Sequence, residues 1–389
     1  PHPTDPPPAG RRVGVYPSQL RLAVFTTLQT DMLLCLKSPS LRTLTAAVAL
    51  VFSLVSVHAS EPADSIKTEP DLKTIIRQAG LQYEFHGVVR GRFEWNTYNG
   101  LSRFQARNAR LSAGVKVGKA VQAFIQADFC DRGKVKMLDA WGQLNLPAAF
   151  NVRIGQFRIP FGDNSFSAPA TYWFANRSFV NKYLSPGRHV GMQVGYSVKN
   201  VPLKAYAGVF NAYSISDHEV WGSKYNYAGR LVYSPRQWQI VAGFVSSVPD
   251  SARINSWNLG ATFSPGRWRF EAEYLCRHYT GHALSASHGY LVQADYHHPM
   301  PYAVFNQWSA QLRVDGMTNY WSGSRNAKGM AVYDKPLRNR ITGGVTLSHV
   351  YTSKIGAHLR LNYEKYLYGH NHPSGADNDK LVAELVVTF

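Results

Sequence analysis

Arginine and lysine side chains recur on one face of many alternating segments in this chain of 389 residues. In an extended strand, alternate side chains point to the same face, so this spacing collects positive charge on a single surface. Arginine binds phosphate or carboxylate groups through a planar fork of N–H donors, and lysine binds them as a point charge. The pattern therefore predicts a surface that binds small anions. Its members are Arg90, Arg92, Arg110, Lys116, Arg153, Lys204, Arg230, Arg269, Arg313 and Arg360.

A second group of cations lies in or next to one long segment that does not alternate, residues 160–188. We expect the aromatic rings of this segment to pack it against an inner wall while its basic side chains narrow the opening. The alternative is a segment that packs outward on neighbouring loops or subunits. The cations are Arg158, Arg177, Lys182 and Arg188, and the aromatic residues are Phe161, Phe166, Tyr172, Trp173, Phe174 and Phe179.

Carboxylates close in sequence limit how much of this charge a passing ion would meet. Glu271 and Glu273 follow Arg269, while Asp315 follows Arg313 and Glu364 follows Arg360. Each pair has the composition of a structural contact within a wall, where opposite charges neutralise one another. We expect several such pairs, and we expect the remaining cations to leave a net attraction for anions.

Histidine is the usual side chain of a metal site, and the chain has 14 histidines. Five of them lie close in sequence, but a full strand length separates the first ones from the last, so one compact site is not expected. These are His278, His282, His288, His297 and His298. His370 and His372 share one predicted loop, which is too weak a pattern for a metal site. We therefore predict neither a metal nor a cofactor.

Two Ser and His pairs raise the alternative of an outer-membrane barrel enzyme of the lipase or protease class. Ser348 precedes His349, and Ser374 lies two residues after His372. A catalytic serine needs a base and an orienting group clustered around it. Neighbours on a strand point to opposite faces, and no signature of either enzyme class is present. We therefore expect a protein that is not an enzyme.

The elements that position the cations are strands, because segment after segment alternates apolar and polar residues with a period of two. We predict an all-β fold, a sixteen-stranded antiparallel transmembrane β-barrel with a long loop folded toward its interior, and a soluble β-sandwich is the alternative. Sixteen strands leave an aqueous lumen. The predicted strands are 83–95, 103–117, 120–130, 135–146, 151–159, 189–199, 203–211, 224–233, 237–247, 254–263, 268–279, 285–296, 302–315, 340–350, 355–366 and 380–389.

The connections between these strands alternate between short and long. Tight turns such as 118–119 and 234–236 contrast with long connections at 160–188, 316–339 and 367–379. Bacterial barrels have short periplasmic turns and longer outer loops, so both termini are expected on the periplasmic side. Two turns 30 residues apart, Tyr233 to Trp238 and Phe263 to Trp268, place aromatic rings where an interfacial girdle requires them.

The N-terminal region has the features of an export signal. Residues 32–59 contain Met32, two basic residues, an apolar run from Leu44 to Val57 and a small-residue cleavage site at Ala59. The run is too short for a spanning helix, which needs about 20 residues. We therefore predict an upstream segment 1–31 outside the native protein, a signal peptide 32–59, a periplasmic segment 60–80 and a transmembrane barrel 81–389.

Removal of residues 1–59 leaves 37 basic and 22 acidic residues, so the mature chain stays strongly basic. Because the chain is predicted to be exported, we do not expect its positive charge to bind nucleic acid. Small anions or an anionic membrane surface remain as partners. Cys130 and Cys276 are the cysteines of the mature chain, and the sequence leaves open whether they pair.

Two stretches resemble the phosphate-selective porin O and P family. The first is Arg153-Ile154-Gly155-Gln156-Phe157-Arg158-Ile159-Pro160-Phe161-Gly162. The second is Gly187-Arg188-His189-Val190-Gly191-Met192-Gln193-Val194, which follows the long loop. The resemblance covers about residues 81–389, although only the stretch from Arg153 to Gly191 is specific.

The resemblance implies a trimeric porin of the bacterial outer membrane, with basic residues along its lumen and a loop folded into it. The implied partners are small anions such as phosphate or polyphosphate, outer-membrane lipid and two further copies of the chain. The last strand ends at Phe389, and a terminal Phe is typical of outer-membrane proteins that the barrel-assembly machinery inserts. Many members of the family lack demonstrated phosphate selectivity, so the barrel follows from the resemblance more directly than the transported ion.

Overall fold

A computed structural model describes residues 80–389 except 132, 170, 214, 216–218, 250–251, 283, 302–303, 353 and 370–376. The predicted segments 1–31 and 32–59, and almost all of 60–80, lie outside these described residues. Within the described part of the chain, no helix is long and apolar enough to cross a membrane.

Strands dominate the fold, and each pairs antiparallel with the next one along the chain. The first strand also pairs with the last, from Val88 opposite Thr388 to Asn96 opposite Lys380, so the sheet closes into a barrel. This closed barrel confirms the predicted fold class. The strands are β1 Leu81–Asn96, β2 Ser102–Val117, β3 Val121–Asp131, β4 Lys134–Asn145, β5 Phe150–Arg158, β6 Arg188–Ser197, β7 Leu203–Asn211, β8 Tyr225–Tyr233, β9 Trp238–Ser247, β10 Ile254–Phe263, β11 Trp268–Tyr279, β12 Ser287–Pro299, β13 Gln307–Met317, β14 Arg338–Val350, β15 Gly356–Tyr368 and β16 Lys380–Thr388.

The predicted alternation is visible in the burial of single strands. On β15, Arg360 and Glu364 are buried inside the barrel. Leu359 and Leu361, the two neighbours of Arg360 in sequence, are 43% and 50% exposed on the outer surface. Charged side chains point inward because a cation on a lipid-facing surface costs about 2–4 kcal/mol at mid-membrane. The register that the sequence predicts for this strand is therefore correct.

The longest connections all leave the same end of the barrel, which we call the long-loop end, and the other end is the short-turn end. Residues 159–187, 212–224, 318–337 and 369–379 form the longest four. Aromatic side chains stack beside two short turns, with the ring centroids of Trp238 and Phe263 4.2 Å apart. One predicted strand was too long: β13 begins at Gln307 rather than near 302, because Met300 donates to the carbonyl of Asn306 and closes a turn there.

Short helical turns occur only in connections among the described residues. They are Pro147–Ala149, Asn164–Phe166, Thr280–His282 and the π-helical turn Val180–Leu184. Cys130 and Cys276 lie on β3 and β11, and both are free thiols.

Residues 159–187, which we call the inner loop, fold into the barrel and form its core. Phe161, Phe179 and Leu184 are each 1% exposed and pack with wall residues such as Phe210. Gly289 on β12 leaves room for this packing, because a Cβ atom there would overlap the Leu184 side chain. The inward fold of the loop is therefore confirmed, and the outward alternative is wrong.

Candidate anion-binding passage beside the inner loop

Arginines of the wall hold the backbone of the inner loop. The carbonyl oxygens of Ala175, Asn176 and Arg177 are consecutive acceptors, and each accepts a hydrogen bond from a different wall arginine. Arg90 donates at 2.6 Å, while Arg313 and Arg340 each donate at 2.8 Å. Backbone groups buried away from water require such partners, so these arginines satisfy a loop segment that has no strand neighbour.

Carboxylates of the barrel wall accept hydrogen bonds from the N–H groups of the same loop. Glu273 accepts from the backbone of Asp163 and Asn164 at 2.9 and 3.1 Å. Asp315 accepts from the backbone of Phe179 at 2.7 Å. The loop is thus tied to several strands at once, and it divides the lumen into a filled side and an open side.

The cations of the filled side are neutralised within the wall. Arg340 lies 2.9 Å from Asp315 and 3.2 Å from Glu364, and Arg313 lies 3.4 Å from Asp315. The side chains of these four residues are 3% exposed or less. Charge-assisted hydrogen bonds compensate the desolvation of such groups, which leaves little field for an ion in the lumen. Arg313 thus points inward as predicted, but the cavity that it lines is only about 20 Å³ in volume.

Arg360 forms a second buried pair. Its partner is Glu384 on the neighbouring strand at 3.1 Å, and Glu384 also accepts from Arg90 at 2.6 Å. The sequence suggested Glu364 as the partner, and that assignment is wrong. Residues four apart along one strand are about 13 Å apart, whereas residues opposite each other on adjacent strands are within reach.

The open side holds a cavity of about 330 Å³, which we call the inner cavity. Four predicted cations line it, namely Arg153, Arg158, Arg188 and Arg230, and Asp139 also lines it. The four arginines come from β5, β6 and β8, which lie on the same side of the barrel and point these side chains inward. The two stretches that resemble the porin O and P family include residues of the paired strands β5 and β6. They supply three of the four arginines.

Arg153 reaches the cavity without a carboxylate partner among the described residues. Its guanidinium lies 3.9 Å from the centroid of the Trp141 ring, and it donates to Gln143 at 2.8 Å. Stacking and a neutral acceptor orient the group without cancelling its charge. Arg153 therefore presents an uncompensated positive charge to the cavity.

Arg230 connects the cavity to the inner loop. It donates to the carbonyl of Gly162 at 2.8 Å, lies 3.6 Å from Asp163 and lies 4.3 Å from the centroid of the Phe166 ring. Burial raises the pKa of the Asp163 carboxyl, an effect that Arg230 partly offsets. Arg230 thus serves the loop and the cavity at once.

Arg158 and Arg188 face each other at the long-loop ends of β5 and β6, where they are register partners. Arg188 lies 2.8 Å from Asp139, and Arg158 has no carboxylate within ion-pair distance among the described residues. The last β4–β5 pair is Ala140 with Gln156, so Arg158 lies beyond the paired region of those two strands. Two adjacent guanidinium groups with one carboxylate leave a net positive charge at this point.

The other predicted cations do not join this cluster. Arg110 pairs with Asp128 at 2.7 Å, and Lys116 pairs with Glu84 at 2.7 Å. The remaining ones are Arg92 beside Glu94, Arg177 and Lys182 on the inner loop, Lys204 exposed near the short-turn end, and Arg269, which lies 4.4 Å from the Trp173 ring centroid. The structure therefore brings four of the fourteen predicted cations together at one cavity.

Some inward cations were missed from the sequence. Arg338 and Arg340 lie on the polar face of β14, so the alternation was a sufficient signal for them. Arg107 lies at a β-bulge opposite Arg90 and Gly91, where the register shifts by one residue. A bulge inserts one extra residue and interrupts the alternation, so pattern reading cannot assign the direction of Arg107.

A second cavity of about 720 Å³ lies at the long-loop end, and we call it the vestibule. Residues from the inner loop, from 212–224 and from 318–337 line it. Arg188 lines both cavities, so the vestibule and the inner cavity are adjacent at this residue.

The constellation expected of a serine enzyme is incomplete. Ser348 Oγ and His358 Nδ1 are hydrogen-bonded at 2.9 Å, so the partner of Ser348 is His358 and not the adjacent His349. Ser348 is 3% exposed, and no described carboxylate hydrogen-bonds to His358. The second pair, His372 and Ser374, lies outside the described residues. Among the described residues there is also no cluster of potential metal ligands.

Residues 78–243 match the model of the family described as phosphate-selective porin O and P. The matched stretch includes β1 to β8, the inner loop and all four arginines of the inner cavity. The match confirms the resemblance that the two stretches around the loop indicate. No curated protein matches this chain in sequence.

Solved structures share the barrel at low sequence identity. The high-pH structure of Pseudomonas putida OprB has a TM-score of 0.56 and 12% identity, and the alignment covers 82% of this chain and 96% of that one. An anion-selective porin from Comamonas acidovorans has a TM-score of 0.52 and 12% identity, and the alignment covers 79% of this chain and 100% of that one. OmpT of Vibrio cholerae in its trimer form has a TM-score of 0.53 and 10% identity, and the alignment covers 79% of this chain and 99% of that one. These likenesses show the fold, and with the family match they assign the chain to the bacterial outer membrane.

Proposed function

Because its residues 78–243 match the phosphate-selective porin O and P family, we propose that this outer-membrane barrel is a channel that prefers anions. Ions pass along the open side of the inner loop, from the vestibule to the inner cavity. The observation that carries the proposal is the set of four arginines around the inner cavity, which one lining carboxylate, Asp139, neutralises only in part.

The physical basis is the exchange of hydration for charge-assisted hydrogen bonds. An anion that enters a narrow passage loses water, and guanidinium groups replace part of that shell. Arg153 and Arg158 are suited to this role because no described carboxylate competes for them. Conduction also requires weak sites, and spreading the charge over several arginines keeps each one from trapping the ion.

The buried cations of the filled side do not contribute to the selectivity on this proposal. Arg90, Arg313, Arg340 and Arg360 have their charges balanced by carboxylates within the wall. The task of Arg90, Arg313 and Arg340 is to hold the inner loop, which determines the width of the passage. Selectivity and architecture are thus carried largely by different arginines, although Arg230 serves both.

The direct test is the reversal potential of the purified protein in planar bilayers under a KCl gradient. We expect anion preference, and we expect the double variant Arg153→Gln and Arg158→Gln to reduce the chloride-to-potassium permeability ratio about twofold or more. Lys199→Gln is the matched control, because Lys199 is an exposed cation in a short turn. Cation preference of the unmodified protein at low salt would refute the proposal.

Phosphate selectivity is a finer claim that we also propose. It predicts that phosphate blocks chloride current at concentrations well below that of chloride. A channel that chloride and phosphate cross without competition would be anion-preferring but not phosphate-selective. We further propose a homotrimer, as in the trimer form of OmpT, and cross-linking in native membranes would detect it.

A further inference from the structure

The vestibule has an unusual combination of lining residues. Arg277, Arg188 and Lys182 bring positive charge, and none of the described residues that line the cavity is Asp or Glu. Aromatic and aliphatic side chains, among them Tyr320 and Ile215, line the rest of it. Sites for small organic molecules combine an apolar lining with a few fixed polar groups, and typical volumes are about 300–1,000 Å³. The vestibule has these properties.

Arg277 is the polar group that stands out within it. Its Nη2 donates to the carbonyl of Leu184 at 2.8 Å, which fixes the guanidinium against the inner loop. Its Nε is buried without a hydrogen-bond partner, and none of the described residues that line the vestibule is a carboxylate that could pair with it. Arg277 as a whole is only part-buried and lines the vestibule, so an anion there can reach the accessible part of its guanidinium and form charge-assisted hydrogen bonds with it.

The aromatic residues of the vestibule carry no opposing charge themselves, and the nearby Asp334 accepts a hydrogen bond from the backbone of the lining residue Ser322. Burial raises the pKa of Tyr320 to about 12, so its phenol stays neutral at physiological pH. Trp321 is anchored by its indole N–H to the carbonyl of Ser324 at 2.6 Å, and its ring packs at the edge of the Tyr279 ring. This side is thus a fixed wall that favours contact with an apolar group.

We propose that the vestibule binds organic anions that join an acid group to an aromatic ring, with the acid group at Arg277 and the ring against the apolar side. The inference rests on the proposed anion channel and specifies the class of solute that its entrance collects. Inorganic phosphate has no apolar group to pack against the aromatic side, so its binding gains only the electrostatic contribution. From Arg277 the acid group moves on to Arg188, which lines both cavities.

The test compares phenyl phosphate with inorganic phosphate as blockers of chloride current, at about pH 8, where both are mainly dianions. The full-length protein is reconstituted in planar bilayers, and each blocker is added to one side at a time. We expect phenyl phosphate to reach half-block at about a tenfold lower concentration, from the side of the vestibule only. Equal half-block concentrations for the two probes would overturn the proposal.

Two variants locate the effect. Arg277→Gln removes the charge, and Ile215→Glu adds a carboxylate and removes an apolar contact at a loop position that does not hold the inner loop. Both should abolish the advantage of phenyl phosphate, while the control Lys199→Gln keeps it. Retention of the advantage in Ile215→Glu would also overturn the proposal. If the unmodified channel prefers anions but does not distinguish the probes, only this inference fails, whereas cation preference would refute the proposed function as well.

Discussion

Arg188 and Asp139 bring opposite charges to the point where the vestibule and the inner cavity meet. Their side chains lie 2.8 Å apart and are 15% and 12% exposed. We predict opposite shifts for two neutral variants: Arg188→Gln leaves Asp139 unpaired and reduces the anion preference, and Asp139→Asn frees Arg188 and increases it. The reversal potential in a KCl gradient measures both. Shifts of the same sign would show that this pair does not lie on the ion path.

Gly155 lies in the first family-like stretch, and its backbone requires glycine. Its φ is 131°, and a Cβ atom would overlap the carbonyl oxygen of Ala140 on β4. We predict that Gly155→Ala strongly reduces the yield of folded barrel, because β4 and β5 cannot keep their spacing. Gly142 is the matched control, since a Cβ atom there meets nothing within 4 Å. Heat-modifiable migration on gels measures folding, and equal yields for both variants would contradict the prediction.

At the scale of elements, the inner loop is held by a network centred on Asp315. This carboxylate accepts hydrogen bonds from the Arg340 side chain and from the backbone N–H of Phe179. It also lies 3.4 Å from Arg313. Removing one partner of a buried ion pair costs about 3–5 kcal/mol. We predict that Asp315→Asn releases the middle of the loop, so that single-channel conductance and current noise both rise while the barrel still folds.

The control for this variant is a half-exposed ion pair of the same kind. Glu84 and Lys116 have side chains 42% and 39% exposed, and such pairs contribute about 0–1 kcal/mol. Glu84→Gln should therefore leave conductance and noise unchanged. If Asp315→Asn leaves conductance and current noise unchanged, other contacts hold the loop without Asp315. The hydrogen bonds of Glu273 with Asp163 and Asn164 are such contacts.

At the scale of the whole molecule, the large positive net charge is not what selects ions on our proposal. Lys119 and Lys199 are exposed in short turns, away from both cavities. Neutralising both with Gln lowers the net charge by the same amount as Arg153→Gln with Arg158→Gln. We predict an unchanged reversal potential for the lysine variant at about 0.1 M salt, where the Debye length is about 10 Å. A shift equal to that of the arginine variant would show that total charge controls selectivity.

The barrel follows from the sequence because strand alternation is a local property with a large energetic cause. Lipid on one side and water on the other impose a period of two, so Leu359, Arg360 and Leu361 reveal their directions without knowledge of any distant residue. The same reasoning predicts the sixteen strands and the grouping of long loops at one end. It fails where the period is interrupted, as at the bulge that carries Arg107.

Only the tertiary structure separates the arginines that hold the inner loop from those that line the passage. Arg153 and Arg313 look alike in sequence, since each lies on the inner face of a strand. In the fold, Arg313 is 3% exposed and donates to the loop carbonyl of Asn176, whereas Arg153 lines the open cavity. The difference arises because the inner loop packs against one side of the lumen, and long-range contacts of this kind have no signature in local sequence.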